Sequence, residues 1–570
     1  MKQFIYFYLK FKVTKMNKNL LLGGLLLSFL TIACSDSNDD FDENEYTQQN
    51  FEINNDESEL ESVLSRNGAG VLSISSITAS NRASLSRQAV EDEDPQVSDI
   101  ALEQIATVDP PVVDGTTLRA SHVKIDGNYA YVTYMMEGEA YLGGIDIINI
   151  TDKTNPFVES RVTSDIVDFT SAYFSDGRLY FASAVNTDEL LNLEYRANIG
   201  YVSVSEGNFL QDFQLKSIEG NVAVDIAGFN DRIIGVSGAT GVLGLYNAAN
   251  LETIQEQTIP DLRSIAYGDN KIAVLSGSEG LAMYNPNDLS VLNRINTPNL
   301  ASESKRTIAF KDQAILVSEG SNGVGIYDSN SGNALQQLDI QILPEAEYDD
   351  ADVVTNAVSI AGDFILMANG GAGFGIAKLD ENNTLVEEGV VDLEGSSNYI
   401  QSDGDYIFVA SGTGGLRIIK ISQPEVNENF AECESYDVYT GRSNLNVNSN
   451  EVLAYRGSAT LKNLNVGGDF TFCGSINIQN GANINSQGEF NMRGAMAVGT
   501  YGRNHDLNIN SGSVLRIEGS LTVYGNLNLN SGATLEFVGE DSSIHVFGTV
   551  RQNSGSTVIG TYNDTSNKLQ

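Results

Sequence analysis

The sequence predicts an all-β protein, with a seven-bladed β-propeller followed by a parallel β-helix (solenoid). Three observations support this prediction. The 570 residues include 54 glycines, 9 prolines and only 19% charged residues, which is typical of short strands joined by tight turns. A strand–turn–strand unit recurs seven times between residues 118 and 422, and a shorter repeat with alternating apolar residues and Asn begins at residue 444. The chain is too long for one core and divides into domains.

The longer repeat predicts the propeller. Five segments align, from "RIIGVSGATGVLGLYN" at Arg232 to "DYIFVASGTGGLRIIK" at Asp405, and two earlier copies have longer turns. Another strand precedes each hairpin and a short strand follows most of them, which makes four strands per unit at intervals of roughly 40–55 residues, the period of a β-propeller. Seven units predict seven blades over residues 118–422. The glycine motifs at Gly370–Gly375 and Gly412–Gly415 fall in register at hairpin turns and are therefore turns, not phosphate-binding loops.

A strand from outside the repeat region is expected to close the ring. The last unit ends near Gln423 without an outer strand, whereas "ALEQIATVDPP" from Ala101 resembles the outer strands of other units. Pairing this strand with the last blade would remove an exposed sheet edge. We therefore assign residues 67–117 to an N-terminal segment that includes the closing strand.

Two of the units also resemble a known family. The second hairpin strand and the residues after it read "GGIDIINITDKTNP" from Gly143 and "GGLRIIKISQP" from Gly414. These segments resemble the LVIVD-repeat family of bacterial surface propellers, and the resemblance covers about residues 101–422. It implies a propeller that works outside the cell.

The C-terminal repeat predicts the solenoid. After a linker over residues 423–443, "SGSVLRIEG" at Ser511 and "SGATLEFVG" at Ser531 repeat at a spacing of 20 residues. One turn of this length suits a parallel β-solenoid over residues 444–560, with Ile, Leu and Val inside and Asn outside or stacked in ladders. A β-sandwich is the alternative, and residues 561–570 are expected to form a tail.

The start of the chain predicts export. The apolar run Leu20–Ala33 follows Lys15 and Lys18 and is too short to span a bilayer comfortably, so residues 1–33 are expected to be a signal peptide. Either Met1 or Met16 can be the initiator.

The residues around Cys34 extend this prediction. The window "LTIAC" ending at Cys34 resembles a bacterial lipobox, and "CSDSNDDFDENE" resembles the export signal of surface-displayed lipoproteins. The resemblance implies that Cys34 is acylated and anchors the protein to the outer membrane on the cell surface. The alternative is an ordinary secreted protein. Residues 34–66 are acidic and poor in aromatic residues, which predicts a disordered tether.

Charge and histidine content narrow the function. The net charge of −42 repels nucleic acid and anionic lipid, so we exclude nucleic acid as a partner and expect contact with the membrane only through the lipid anchor. The three histidines (His122, His505, His545) lack the spacing of a zinc site or a catalytic triad. We therefore predict no catalytic residue, cofactor or metal. Calcium binding by acidic loops stays open, although no EF-hand loop occurs.

Cys433 and Cys473 remain after lipidation of Cys34. In a secreted compartment a disulfide between them is expected, and the loop closure could contribute roughly 3–4 kcal/mol. Free buried thiols are the alternative.

Propeller topology predicts a binding face. The loops that join strand two to strand three and those that join successive blades emerge on the same side, and the long acidic loops of this chain are of those kinds. The candidate binding-face residues are Tyr134, Glu137, Tyr141, Asp188, Glu189, Tyr195, Tyr348, Asp349, Asp350 and Asp352. The candidate channel-mouth residues, near the starts of the inner strands, are His122, Ser171, Asp225, Arg263, Arg306, Asn356 and Asn398.

Two functional hypotheses are compatible with these features. The first is a non-catalytic binding or adhesion lipoprotein that recognises a protein or polysaccharide ligand through one propeller face. The second is an extracellular polysaccharide-degrading enzyme, a lyase or a glycoside hydrolase, which rests on analogy of fold alone. The shortage of histidine and the lack of a distinctive acid–base pair favour the first.

Overall fold

The structure is a computed structural model. It describes residues 50–66, 70–72, 74, 100–138, 140–190, 193–239, 241–300, 307–342, 349–379, 384–422, 432–500, 502–539 and 542–569. The predicted signal peptide 1–33, Cys34, Arg306 and Tyr348 lie outside these residues. No helix within the described residues is long and apolar enough to cross a bilayer.

Seven antiparallel sheets form the propeller, as predicted, and we number these sheets blades 1 to 7. The strands are given from the inner to the outer edge of each blade. Blade 1 comprises Arg119–Asp126, Tyr129–Met135, Gly143–Asn149 and Phe157–Ser164, and blade 2 comprises Val167–Ser175, Arg178–Val185, Ala197–Ser205 and Gln214–Ser217. Blade 3 comprises Ala223–Phe229, Arg232–Ser237, Val242–Asn247 and Thr253–Thr258, and blade 4 comprises Leu262–Gly268, Lys271–Ser276, Gly280–Tyr284 and Val291–Ile295. Blade 5 comprises Ile308–Lys311, Ala314–Ser318, Val324–Asp328 and Ala334–Leu338, and blade 6 comprises Val353–Ala361, Phe364–Gly370, Phe374–Leu379 and Leu385–Val391. Blade 7 comprises Tyr399–Asp403, Tyr406–Ala410, Leu416–Ser422 and Ala101–Val108. Two short extra pairings join Asn208–Phe209 to blade 2 and Val112–Val113 to Thr116–Thr117.

The middle strands of each blade read as continuous apolar runs because both of their faces are covered. In Arg232–Ser237, for example, every residue after Arg232 is buried. Alternate side chains of such a strand pack against the preceding blade and the following blade. Ile315 and Val317 of blade 5 accordingly pack with Leu275 and Met283 of blade 4.

The ring is closed by a strand from ahead of blade 1. Ala101–Val108 pairs antiparallel with Leu416–Ser422, from Val108 opposite Leu416 to Ala101 opposite Ser422. This pairing makes the expected N-terminal strand the outer strand of blade 7. Two shorter strands, Leu64–Ser65 and Gly70–Leu72, pair with its other edge.

The prediction of a disordered tether over residues 34–66 is wrong for residues 50–66. Glu52–Asn54 adds a fifth strand to blade 1, and Phe51 stacks on Phe213 of blade 2 with 3.9 Å between the ring centroids. The short helix Glu57–Leu60 follows, capped by Asp56, and buries Leu60. The prediction relied on the acidic average composition of the segment. It overlooked Phe51 and Leu60, which both pack against the propeller.

The C-terminal domain is a parallel β-solenoid of about six turns, so the β-sandwich alternative is wrong. Its strands are Asn444–Val447, Val452–Val466, Asp469–Ile484, Glu489–Val498, Leu507–Ile509, Val514–Val523, Leu527–Leu529, Thr534–Phe537, Ser543–Val546, Val550–Gln552, Thr557–Ile559 and Asn563–Asp564. One continuous core of Leu, Ile, Val, Phe and Met side chains fills the interior.

The solenoid extends beyond its predicted limits at both ends. Asn563–Asp564 pairs with Ser543–Val546, so the expected tail over residues 561–570 belongs to the last turn. In the predicted linker 423–443, Val438 pairs with Arg456, and the short 3-10 helix Cys433–Ser435 precedes it. Residues 432–443 therefore cover the first turn.

Asparagine ladders run along the solenoid, as predicted. In one ladder Asn465, Asn483, Asn508 and Asn528 each donate a side-chain hydrogen bond to the Asn of the preceding turn, beginning at Asn446, over distances of 2.9–3.1 Å. An amide has both donors and an acceptor, so identical side chains can pair along the stack without leaving either group unsatisfied.

A column of glycines turns the chain at one corner of the solenoid. Gly457, Gly474, Gly494 and Gly519 are stacked in register, with φ between +112° and +122°. A Cβ atom on Gly494 would lie 2.1 Å from the carbonyl oxygen of Gly474. The corner therefore excludes side chains at these positions.

The closing strand of the propeller also contacts the solenoid. Val71 and Ala101 pack with Ala495 and Ala497 in a small buried cluster. Close by, the Thr522 hydroxyl donates to the Glu103 carboxylate over 3.1 Å. The two domains thus meet at the outer edge of blade 7.

Candidate functional site

A recess of about 690 Å³ opens at one end of the propeller channel, and we call it the channel-mouth recess. It is lined by the starts of inner strands and by the loops expected on the binding face. Part of its wall is apolar, with Met135, Val222, Val224, Leu262 and Val354. Polar side chains, among them Asn221, Asn356 and Asn398, complete the wall. A concave apolar surface with a few polar groups is the usual form of a ligand site.

The recess brings together members of both predicted groups. Glu137 and Asp352, from the binding-face group, share the lining with Arg263, Asn356 and Asn398, from the channel-mouth group. Part of each predicted group therefore lines the same recess.

Two ion pairs border the recess, and each contains a residue that sequence reasoning missed. Arg119 lies 3.1 Å from Glu137, and Arg263 lies 2.5 Å from Asp261. Arg119 and Asp261 stand two or three positions ahead of aligned channel residues. A search for opposite charges beside the predicted positions would have found both.

Below the recess, hydrogen bonds among the described residues near the inner-strand starts join neighbouring blades at six junctions. The donors and acceptors are Ser121 Oγ to Phe169 O, Thr170 Oγ1 to Ala223 O, Ser264 Oγ to Asp225 Oδ2, Val358 N to Thr307 Oγ1, Asn356 Nδ2 to Ser397 O and Asn398 Nδ2 to Ala120 O. Most polar side chains near the inner-strand starts thus have a structural partner in the next blade.

Asp225, in blade 3, joins its own blade to both neighbouring blades. Its carboxylate accepts from the hydroxyls of Ser171 in blade 2 (2.7 Å) and Ser264 in blade 4 (2.8 Å). The backbone N–H groups of Ile226 and Ile265 also donate to it, each over 3.0 Å. The prediction that Asp225 and Ser171 surround the open mouth is therefore wrong, because both are buried and link three blades.

His122 and Tyr134 are also buried instead of exposed. His122 packs against Tyr399 of blade 7 with 4.0 Å between the ring centroids. Tyr134 donates to Asp146 over 2.8 Å, and Asp146 pairs with Arg161. Burial and the Asp146 charge raise the pKa of Tyr134 well above its usual value. Tyr134 is therefore a core residue, because its position on the strand points into the blade.

The other binding-face residues lie outside the recess lining. Asp188 and Glu189 are exposed on the long loop of blade 2, and Tyr195 is 36% exposed. Tyr141 lies 6.0 Å from the guanidinium of Arg196. Asp349 is exposed and caps the 3-10 turn Asp350–Asp352 by accepting from the N–H of Ala351.

Asp168 holds the loop that carries Glu137. Its carboxylate is buried on the inner strand of blade 2 and accepts a hydrogen bond from the N–H of Met136. Burial raises the pKa of Asp168 to about 7, although the backbone N–H donors oppose this rise. Protonation of a buried group therefore bears on the conformation of the recess wall.

Within the described residues, no group of three or more His, Cys, Asp or Glu side chains is arranged to hold a metal ion. Away from the recess, the structure places Cys433 and Cys473 in a disulfide with Cα atoms 5.8 Å apart. This bond fastens residues 432–443 to the second turn of the solenoid.

Comparison with known families matches residues 119–164 and 394–437 to the LVIVD repeat. The matched residues include the first three strands of blade 7 and all four strands of blade 1. The matched segments lie at the two ends of the ring, and blade 7 includes the strand that the closing segment joins. No curated protein matches the chain.

Solved structures similar to the chain have low sequence identity to it. A computationally designed protein, Ika8, is 9% identical, with 62% of this chain and 96% of the other covered and a TM-score of 0.36. The WD40 β-propeller domain of Doa1 is 11% identical (56% and 97%, TM-score 0.38), and a chain of a mitotic checkpoint complex is 10% identical (59% and 97%, TM-score 0.41).

We expect Asp225→Ala to lower the free energy of unfolding by about 3 kcal/mol or more, because four buried donors lose their acceptor. Thermal or denaturant unfolding of the purified protein measures this change. Asp352→Ala, at the exposed edge of the recess, is the control and should change the stability by less than about 0.5 kcal/mol. Equal effects of the two substitutions would contradict the structural role of Asp225.

Asp168 should make stability depend on pH. Its folded pKa of about 7 lies above the usual 3.8, so the folded state holds a proton that the unfolded state releases. The contribution of Asp168 to the free energy of unfolding is therefore complete below about pH 4. It is lost as the pH rises to about 7, which lowers the free energy of unfolding by about 2–4 kcal/mol. Melting temperatures at pH 4.5 and pH 8 should differ less in Asp168→Asn than in the wild type, whereas the exposed control Asp165→Asn should retain the wild-type difference.

Proposed function

We propose that this protein is a non-catalytic binding protein of the bacterial cell surface that recognises a protein or polysaccharide through the channel-mouth recess. The observation that carries the proposal is that Glu137 and Asp352, from two of the long loops, line one recess of about 690 Å³ together with the channel residues Arg263, Asn356 and Asn398. Binding sites commonly occupy loops that a rigid scaffold supports, and the inter-blade hydrogen bonds below the recess supply that rigidity.

The chemistry of the recess favours binding a large polar partner. Its apolar wall can cover the faces of sugar rings or aliphatic side chains, and its asparagines offer both donors and acceptors. Glu137 and Asp261 are held by Arg119 and Arg263, so charges of both signs are presented at defined positions. A partner with neutral and charged groups would match this surface better than a simple ion.

The ion pairs also favour binding over catalysis. A carboxylate that acts as a general acid or base must be within hydrogen-bond reach of the substrate. Glu137 and Asp261 are instead each engaged by an arginine. The polysaccharide-degrading enzyme stays an alternative that rests on fold analogy.

The location at the outer membrane rests on the sequence around Cys34. An acyl anchor of several chains would hold the soluble domains at the membrane, since each buried CH₂ contributes about 0.8 kcal/mol. The disulfide between Cys433 and Cys473 is consistent with an oxidising compartment.

Removing the exposed carboxylates of the binding face should abolish ligand binding without lowering the melting temperature. The test variant carries Glu137→Ala, Asp349→Ala and Asp352→Ala, with Tyr348→Ala and Asp350→Ala in a second version. Binding is measured to immobilised dextran and to the envelope extract of the producing bacterium.

The matched control carries Asp363→Ala and Asp405→Ala, which remove exposed charges from turns on the opposite face. It should bind like the wild type. If the binding-face variant keeps the wild-type binding profile, this face is not the site. Shortened polysaccharide after incubation would instead support the enzyme.

Intact producing cells supplied with labelled palmitate should incorporate label into the wild-type protein and none into a Cys34→Ser variant. Cys34 is the expected acylation site, so its loss should also release the protein from the membrane fraction. Protease added to intact cells should degrade the wild-type protein if it is displayed on the surface. Equal labelling of the two proteins would exclude Cys34 as the anchor.

A further inference from the structure

A second cavity, of about 400 Å³, lies between the propeller and the last turns of the solenoid, and we call it the inter-domain cleft. Arg66, Asn155, Tyr406 and Lys420 line it from the propeller, and His545 and Asn563 line it from the solenoid. Its volume falls within the usual range for small-molecule sites, about 300–1,000 Å³.

A row of three side chains on blade 7 forms one wall of the cleft. Tyr406 lies directly opposite Lys420 on the neighbouring strand, and Lys420 lies directly opposite Glu103 on the closing strand. Cross-strand neighbours project from the same face of a sheet. The ring, the ammonium group and the carboxylate therefore face the solenoid side by side.

Glu103 and Lys420 attract one another across the two strands, because the Lys420 charge lowers the pKa of Glu103 although burial raises it more. Glu103 accepts from the hydroxyl of Thr522 in the solenoid, which directs its carboxylate to the domain contact. The ammonium group of Lys420 makes no salt bridge to any residue in the part of the chain that the structure describes. Lys420 therefore places a positive charge, beside Glu103, in the middle of the cleft wall.

Arg66 supplies a second cation. Its Nη2 atom donates to Asn155 Oδ1 (2.7 Å) and to Pro156 O (2.6 Å), and these bonds hold the guanidinium in place. Its Nε atom is buried and has no hydrogen-bond partner among the described residues. A buried donor without a partner is costly and rare in folded proteins.

The solenoid side of the cleft offers a hydrogen-bond acceptor. The Thr565 hydroxyl donates to the carbonyl of Ile544 over 3.2 Å, so it accepts from Nδ1 of His545 over 2.7 Å. Nε2 of His545 then carries a lone pair. Burial and the Lys568 charge lower the pKa of His545 to about 4, so the imidazole is neutral at physiological pH.

We infer that the inter-domain cleft binds an acidic monosaccharide, a uronate, with its carboxylate at Lys420 and Arg66, its ring against Tyr406, and its hydroxyls at His545 and Asn563. A simple anion would leave the acceptor of His545 and the amide of Asn563 unused. A neutral sugar would make no ionic contact with Lys420 or Arg66. The ligand would contact both domains and so stabilise their junction.

Isothermal titration of the full-length protein with glucuronate tests this inference, with glucose and inorganic phosphate as comparison probes. Glucuronate should bind at least tenfold more tightly than either probe and should raise the melting temperature. Lys420→Gln should weaken glucuronate binding at least tenfold. Asn563→Ala, an uncharged change at an exposed position, should weaken it severalfold, so the inference can be tested even if Lys420→Gln does not fold.

Lys462→Gln is the matched control, because it removes the same charge from an exposed position of the solenoid. Its glucuronate affinity should equal that of the wild type. The binding-face variant with Glu137→Ala, Asp349→Ala and Asp352→Ala should also bind glucuronate normally, which separates this site from the channel-mouth recess. No glucuronate binding, equal binding of phosphate or glucose, or unchanged binding by both cleft variants would overturn the inference.

Discussion

The pairing between Ala101–Val108 and Leu416–Ser422 is the interaction on which the rest of the structure depends. It joins segments more than 300 residues apart in the chain and supplies the fourth, outer strand of blade 7. The strand also carries the pairing of Leu64–Ser65 and Gly70–Leu72, and its residues Ala101 and Glu103 contact the solenoid. Ring closure, the N-terminal segment and the domain junction therefore share one strand.

The polar side chains near the inner-strand starts fall into two groups, those that only link blades and those that also line the recess. Asp225 and its serine partners are buried and satisfy one another, so they hold blades together. Asn356 and Asn398 also bridge blades, yet they still reach the recess. A polar residue near an inner-strand start is thus usually a link between blades, and only those nearest the rim are placed to meet a ligand.

The solenoid is built on repetition of identical side chains in register. Stacked asparagines satisfy one another, and stacked glycines allow the chain to turn where a Cβ would meet the carbonyl of the turn before. Both devices work only if successive turns keep their alignment. The covering segment at residues 432–443, fastened by the disulfide, holds the first turns in that alignment.

The sequence by itself determined the fold class, the number of blades, the solenoid and the closing strand, because these depend on local periodicity and on the turn chemistry of glycine. Loop lengths and topology also indicated the face that carries the long insertions, where Glu137 and Asp352 line the recess. Only the tertiary structure decided which polar residues are buried, as with Tyr134 and Asp225, and that Phe51 and Leu60 dock an acidic segment on the propeller. Burial depends on contacts between residues far apart in the chain, and no local pattern encodes them. For the same reason, the inter-domain cleft could be seen only after the two domains were brought together.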